Sequence, residues 1–339
     1  MDSEGRPDIT ALQYVKGLGS GSYGHVWEAS WLSGGKHVAV KFPKISNSDP
    51  SWKRKFIREC KMIKNLHHDN IVDVHRVSSY DVPLPYIIME MADHGTLLSV
   101  AEKLRGSKNL TGGRKRCGMC VGVADGMQYL AEKHIVHRDL AARNVLVMRG
   151  EICKITDFGL TRRMMELSES VQPTAKYFSV QPGQNYVTSQ DNPDGPFPLF
   201  WSAPETYHAK CTTKGDVWSF GVLLWEVMSF GRTPFLSVSS MPPILSSNDL
   251  EKYLKHSPSN RLPKPDGCLD EIYDLMQLTW KIRPSERPTF RQLSQKLREV
   301  VNKQKIGVSP SSHHRVPDQT PNLSPMAVQT PRFSPMAVQ

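Results

Sequence analysis

Apolar and polar positions change their period more than once along this chain. Over residues 14–31 apolar residues alternate with polar ones, Ser33-Gly34-Gly35 supplies turn chemistry, and Val38-Ala39-Val40 resumes the apolar pattern. That pattern predicts short strands joined by a tight turn. The period then lengthens. Phe56, Met62, Ile63 and Leu66 recur at helical spacing with charged residues between them, and His67-His68-Asp69-Asn70 closes the segment. Tyr86-Ile87-Ile88-Met89 reads as another buried strand. Beyond Gly95 the pattern is mostly helical: Cys120, Val123, Ala124, Met127 and Leu130 mark one helix face, and residues 218–228 form a second apolar run. The expected architecture is α+β, a small strand-rich lobe on a larger helical lobe.

The periodic part runs from about residue 12 to residue 301, after a short leader of residues 1–11. Residues 302–339 are rich in Pro, Ser, Gln and Thr and poor in aromatics. Such a composition cannot bury enough surface to offset ordering entropy, so a disordered tail is expected. The tail repeats itself, TPNLSPMAVQ then TPRFSPMAVQ, and places Ser-Pro or Thr-Pro at Ser309, Thr320, Ser324, Thr330 and Ser334. It is a candidate dock for signalling partners or proline-directed kinases.

Composition narrows the setting. A chain that is 39% hydrophobic and 22% charged can bury a large core. The formal charge of +10 invites a nucleic-acid partner. Lys and Arg are spread along the chain rather than striped, however, and no nucleic-acid motif is present, so a solvated basic surface and no nucleic-acid partner are expected. The six cysteines form no disulfide-like framework and no signal peptide precedes them, which points to reduced thiols in the cytosol. Cys117-Gly118-Met119-Cys120 lacks a second ligand pair nearby, and Cys120 falls on an apolar helix face, so both read as core. No apolar run is long enough to cross a bilayer, Asp2 stands where myristoylation needs glycine, and no cysteine lies near the C-terminus for prenylation. No direct membrane anchor is expected in this chain. It reads as cytoplasmic, or as the cytoplasmic part of a larger receptor.

The chemistry is concentrated in three stretches. His137 to Asn144 reads HRDLAARN, and Asp157-Phe158-Gly159 follows. At this spacing Asp139 would accept the proton of an attacking hydroxyl, while Asn144 and Asp157 would hold Mg2+ against the β- and γ-phosphates of ATP. Upstream, Gly19-Ser20-Gly21-Ser22-Tyr23-Gly24-His25-Val26 fits G-x-G-x-x-G-x-V. The same glycines occur in dinucleotide-binding folds, where the motif joins a strand to a helix. Strand-forming residues flank it on both sides here, which favours a hairpin whose backbone amides approach phosphates. Lys41 would contact the α- and β-phosphates and Glu59 would fix its position. Val26 and Ala39 would cover the adenine ring, with Leu146 closing from below.

With these motifs the chain resembles the eukaryotic protein kinases, and specifically the tyrosine kinases, over about residues 12–301. The resemblance implies a bilobal protein-kinase fold with an N-lobe of about residues 12–90 and a C-lobe of about residues 93–301. A serine/threonine kinase usually carries lysine two residues after the catalytic aspartate, whereas this chain has Ala141 there and Arg143 four residues after. The segment 198–205 (PLFWSAPE) resembles the family's peptide-docking segment, and residues 216–235 and 287–290 (RPTF) complete the match. The resemblance implies ATP-dependent transfer to tyrosine hydroxyls of protein substrates, with Arg143 near the phenol and Pro198 and Trp201 shaping the peptide platform. It implies structural roles too: Asp216 holding the His137-Arg138 loop, a Glu205–Arg287 ion pair, and a stack of Ile63, Val74, His137 and Phe158. Glu90-Met91-Ala92 matches the adenine-facing hinge and Met89 the gatekeeper behind it.

Three departures from the family pattern stand out. Phe200 replaces a residue that is often basic, Thr161 follows Asp157-Phe158-Gly159-Leu160 where alanine or serine is commoner, and the stretch 157–205 is long. That stretch holds Tyr177 and Tyr186. Either is a candidate autophosphorylation switch, with Tyr186 nearer the family position, and Arg138, Arg162 and Arg163 lie where a phosphate could be paired. The rival readings are a serine/threonine or dual-specificity kinase, opposed by Ala141 and Arg143, and a pseudokinase scaffold, opposed by the full set Lys41, Glu59, Asp139, Asn144 and Asp157.

Overall fold

Residue alternation builds the first part of the molecule. The structure, a computed structural model, describes residues 9–20, 24–45, 51–105, 111–164, 198–208, 211–237, 244 and 246–306. Residues 1–8, Gly21, Tyr177, Tyr186 and the tail beyond residue 306 therefore lie outside the described residues. Strands β1 (Leu12–Ser20), β2 (His25–Trp31), β3 (His37–Phe42), β4 (Val74–Val77) and β5 (Ile87–Glu90) form one antiparallel sheet in the order β1-β2-β3-β5-β4. Along β3, Val38, Val40 and Phe42 enter a small cluster with Ile9, Leu12, Ala29, Leu84 and Ile88 on one face. Ala39 joins the main core on the other face. A strand turns successive side chains to opposite faces, so Lys41 shares the side of Ala39.

Helix α1 (Trp52–Ile63) joins the main core through Phe56, Cys60, Met62 and Ile63. The turn that follows it is seated on α3 (Thr111–Glu132). Asn70 Nδ2 donates to the Cys153 carbonyl at 2.9 Å, and the Asn70 carbonyl accepts from Ile155 N at 2.9 Å. A Cβ on Gly122 would stand 2.6 Å from Asn70 Nδ2, and one on Gly126 2.7 Å from Asn70 O. Only glycine lets the turn come this close. Cys117 and Cys120, also on α3, are buried in the core, and burial pushes the Cys117 thiol up to about 12.

The rest is mostly helical. Helix α2 (Leu97–Lys103) starts where Thr96 Oγ1 accepts from Ser99 N at 3.2 Å. Two-residue strand β6 (Ile135–Val136) pairs with β9 (Arg162–Arg163), and β7 (Val145–Val147) with β8 (Cys153–Ile155). Helix α4 (Thr213–Met228) is buried from Gly215 to Met228, the pattern of a helix enclosed on all sides. Around it lie α5 (Ser247–His256), α6 (Asp270–Thr279) and α7 (Phe290–Ile306). Arg287 grips Glu205 with two bonds of 2.6 and 2.8 Å, a forked geometry that fixes orientation as well as charge. Its guanidinium also lies 5.1 Å from the Trp218 ring centre.

The basic residues are less evenly spread than their sequence positions suggest. Lys53, Arg54, Lys55, Arg58 and Lys61 all fall on α1, with Lys64 at its end, while the helix's one acid, Glu59, points inward. The turn-by-turn geometry of a helix gathers on one face what the linear sequence separates.

Candidate active site

A cleft of about 520 Å³ opens between the five-stranded sheet and the β7–β8 hairpin. Gly19, Ser20, Gly24, Val26 and Ala39 line its upper wall, Leu146 its floor, Glu90 and Met91 its edge, and the buried Met89 its back. Gly24 sits so close to β3 that a Cβ would lie 2.4 Å from the Phe42 carbonyl oxygen. The backbone therefore occupies the place a side chain would need. Val26, Ala39, Met89 and Leu146 give the cavity an apolar lining, and Lys41 and Asp157 add charge to it.

Those charges form two connected groups. In the first, Lys41 Nζ lies 2.6 Å from Glu59 Oε1 on α1 and 2.8 Å from Asp157 Oδ1. Burial alone would lower the Lys41 pKa, but the two carboxylates win and raise it above the usual lysine range. Burial raises Glu59 in spite of Lys41, whereas Asp157, also penalised by burial, is held below its usual value by the lysine. Asp157 has a positive φ of 63°, uncommon for a residue with a Cβ. Next to it, Phe158 is buried and meets the His137 ring edge-on at 5.2 Å. Ile63 and Phe158 share the main core, and Val74 packs against it. Burial depresses the His137 pKa to about 4, so this ring is neutral at physiological pH.

The second group is the loop that carries Asp139. Asp216, in the first turn of α4, accepts the backbone N–H groups of His137 at 2.8 Å and Arg138 at 2.9 Å. Ten residues further along the same helix, Glu226 accepts the N–H of Ala142 at 2.9 Å. Burial pushes each of these carboxyls up to about 7, against the pull of the N–H donors. Between these two anchors, Asp139 Oδ1 accepts from Arg143 Nη2 at 2.7 Å, and Asn144 Nδ2 donates to the Asp139 carbonyl at 2.8 Å. The Asn144 amide oxygen is then the atom left to face a cation. With the Asp157 carboxylate, it makes the hard-oxygen donor set that magnesium takes. The residues present fit Mg2+ and a nucleotide.

A family model for protein tyrosine and serine/threonine kinases matches residues 12–297. The chain belongs to this family. Among curated relatives, human tyrosine-protein kinase FRK is 36% identical over 296 residues, covering 86% of this chain and 52% of that protein. Tyrosine-protein kinase SRK3 of Spongilla lacustris is 34% identical over 86% of this chain and 77% of its own length. Tyrosine-protein kinase Abl of Drosophila melanogaster is 34% identical over 85% of this chain and 16% of its own length. The chain thus spans about half the length of the human relative. Among its described residues, no helix is long and apolar enough to cross a membrane.

Residues 198–202, the segment that resembles the family's peptide platform, meet the Asp139 loop through a contact at Trp201. The Arg143 guanidinium lies 4.2 Å from the centre of the Trp201 ring, a cation–π contact that ties that loop to residues 198–202. Phe200 turns away from solvent and stacks on Phe235 at 5.9 Å. Thr161 is buried, and its hydroxyl donates to the His137 carbonyl at 3.3 Å. Arg162 departs from the expectation of a phosphate-pairing cation: it is buried, and its guanidinium donates to the Gly159 and Thr161 carbonyls. Arg163 is exposed. Glu226 is the functional residue that sequence reading missed. Its signal was a carboxylate inside an otherwise apolar run, which cannot be buried without a specific donor.

Proposed function

We propose that this chain is a protein-tyrosine kinase that transfers the γ-phosphate of Mg-ATP to tyrosine hydroxyls of protein substrates. One observation carries the reading. Arg143, four residues after Asp139, is held between the Asp139 carboxylate at 2.7 Å and the Trp201 ring at 4.2 Å, while Ala141 replaces the lysine expected of a serine/threonine kinase. Asp139 receives the phenol proton, and Arg143 steadies the aspartate and flanks the phenol. Lys41, aligned by Glu59, holds the α- and β-phosphates, and Gly19, Ser20, Gly21 and Gly24 let backbone amides approach the phosphate chain. Val26, Ala39 and Leu146 enclose adenine, and Glu90 and Met91 border it. Magnesium, when bound, neutralises charge on the β- and γ-phosphates. Asn144 and Asp157 are the residues that would hold it.

The finer points of this reading follow the same chemistry. The sheet with α1 and the helical remainder form two lobes, about 12–90 and 93–301, with Met89 as gatekeeper. Phosphorylation of Tyr186, or second of Tyr177, switches activity, and the tail beyond residue 301 docks partners or proline-directed kinases. The chain works in the cytoplasm, alone or as part of a longer protein. Phosphoamino-acid analysis of the purified chain after incubation with Mg-ATP tests the central claim. Phosphotyrosine is expected; phosphoserine or phosphothreonine alone, or no incorporation, would overturn it. Mapping the sites in wild type, Tyr186→Phe and Tyr177→Phe tests the switch, which fails if the double variant activates as wild type does.

A further inference from the structure

Most of the described tyrosines are held by their backbone or by their hydroxyl. Tyr14 lies in β1 and Tyr253 in α5. The Tyr129 hydroxyl accepts from His67 N at 3.0 Å, the Tyr273 hydroxyl donates to the Leu262 carbonyl at 3.0 Å, and buried Tyr207 donates to the Leu199 and Ser202 carbonyls. Tyr80 is different. It stands in the turn between β4 and β5, half-buried, with its ring against the main core. Among the described residues its hydroxyl meets no donor or acceptor.

The turn can open without the sheet. Ser78 closes its neck, donating its N–H to the Tyr86 carbonyl at 3.0 Å and accepting from Tyr86 N through Oγ, also at 3.0 Å. Inside the neck, residues 79–85 are sparsely bonded: Ser78 Oγ donates to the Ser79 carbonyl, Asp81 N to Ser79 Oγ, and Lys53 Nζ to the Val82 carbonyl at 2.8 Å. A segment so poor in backbone hydrogen bonds opens locally at little cost, which frees Tyr80 to enter a cleft. Two charges mark the site. Exposed Asp81 follows Tyr80, an acid beside the acceptor in a chain of formal charge +10. Lys61 Nζ lies 5.5 Å from the centre of the Tyr80 ring.

We propose that Tyr80 is a modification site for this chain's own phosphotransfer, and that Lys61 receives the phosphate. The site rests on the kinase reading given above. A phosphate adds about −1.5 to −2 charge and three acceptor oxygens, so the ammonium that covers the ring beforehand becomes its ion-pair partner afterwards. A second copy of the chain acts. Tyr80 is two residues from Ser78 and moves only about 7 Å while the neck stays closed. In the step, the Tyr80 phenol oxygen bonds to the γ-phosphorus of ATP and the bond from that phosphorus to the β,γ-bridging oxygen breaks. ADP leaves with the electron pair, and the phenol proton passes to Asp139 of the acting copy.

The test mixes the full wild-type chain, as enzyme, with a full-length Asp139→Asn acceptor tagged to differ in mass, adds Mg-ATP and maps phosphotyrosine by mass spectrometry. The acceptor should gain phosphate at Tyr80 about tenfold faster than at Tyr86, whose backbone the neck holds. Equal or faster modification of Tyr86, or a bare Tyr80 beside phosphotyrosine elsewhere, overturns the site. Phosphate at Tyr80 of the wild-type chain but not of the acceptor overturns transfer between copies. A tyrosine phosphatase should then release the Tyr80 phosphate about threefold faster from an acceptor that also carries Lys61→Gln, the scale of one exposed ion pair. Equal release overturns the part given to Lys61. No phosphotyrosine at any position overturns the kinase reading and this site with it, whereas phosphotyrosine at other positions alone overturns only the site.

Discussion

The two charged groups at the cleft are held in opposite ways. Lys41, Glu59 and Asp157 come from β3, from α1 and from the loop after β8, and their side chains join them, with Glu59 also accepting from the Phe158 backbone N–H. The Asp139 loop is instead bolted through its backbone, at His137 and Arg138 by Asp216 and at Ala142 by Glu226, both on the buried helix α4. The first assembly can come apart if one helix moves, and its parts remain folded. The second cannot move without orphaning buried N–H groups, at about 1–3 kcal/mol each. The comparison teaches that the Asp139 carboxylate is built into the rigid part, while Lys41 is built into a joint.

The largest expected effect lies at the end point of the rigid group. Asp139→Asn should leave ATP binding nearly intact and lower phosphotransfer by roughly 10²–10⁴, the range for a lost general base. Single-turnover rates with a tyrosine peptide, beside an ATP-binding measurement, check it; equal rates would remove Asp139 from the chemistry.

Next comes the pH dependence of the same loop. His137 is buried, with its folded pKa depressed to about 4 from 6.5. The unfolded chain therefore binds the proton first, and stability is lost as pH falls from about 6.5 to about 4, by roughly 3 kcal/mol in all. Asp216 and Glu226, raised to about 7, act with the opposite sign and lose stability as pH rises toward neutrality. Denaturant unfolding of wild type against His137→Phe isolates the histidine. The variant should lack the extra acid sensitivity, and parallel curves would show that the ring is not buried neutral.

A pair of substitutions then sets joint against bolt. Glu226→Ala orphans the Ala142 N–H and should destabilise the fold by about 1–3 kcal/mol, with kcat falling and the KM for ATP little changed. Glu59→Gln leaves Lys41 its second partner, Asp157, at 2.8 Å. It should lower kcat/KM for ATP about tenfold with a smaller change in thermal midpoint. If Glu59→Gln proved the more destabilising, the Lys41 group and not the Asp139 loop would be the rigid part. Smallest in chemical effect, Met89→Gly should keep catalysis and open the rear of the cleft. Inhibitors with an aryl group behind adenine should bind about tenfold or more tightly in the variant, and an unchanged series would misplace the hinge.

Much of the site was legible because its residues lie in short, rigidly spaced runs. His137, Asp139, Arg143 and Asn144 sit within one loop, and Asp157 and Lys41 end apolar strands or follow them directly. The fold was legible where periodicity was clean, as in β3, α1 and α4. Glu226 escaped because its partner lies 84 positions earlier in the chain, and a carboxylate inside an apolar run marks a buried acid without naming its donor. The inward turn of Arg162 escaped for a similar reason: a two-residue strand has no period to read, and only its pairing with β6 decides which side chain is buried. The basic face of α1 was visible as composition but not as a surface, since Glu59 interrupts the run in sequence and not in space.

The seat of Asn70 on Gly122 and Gly126 gives α1 a fulcrum. With the turn after the helix fixed against the α3 backbone, any movement of the helix away from Lys41 is a swing about that end. Arg54 stands roughly twice as far from the fulcrum as Glu59, at 1.5 Å of rise per residue. A small retreat of the carboxylate is therefore a large sweep at the first turn. The helix is a lever with its load near the middle, and the place where the least force controls it is the far end, where the cations are.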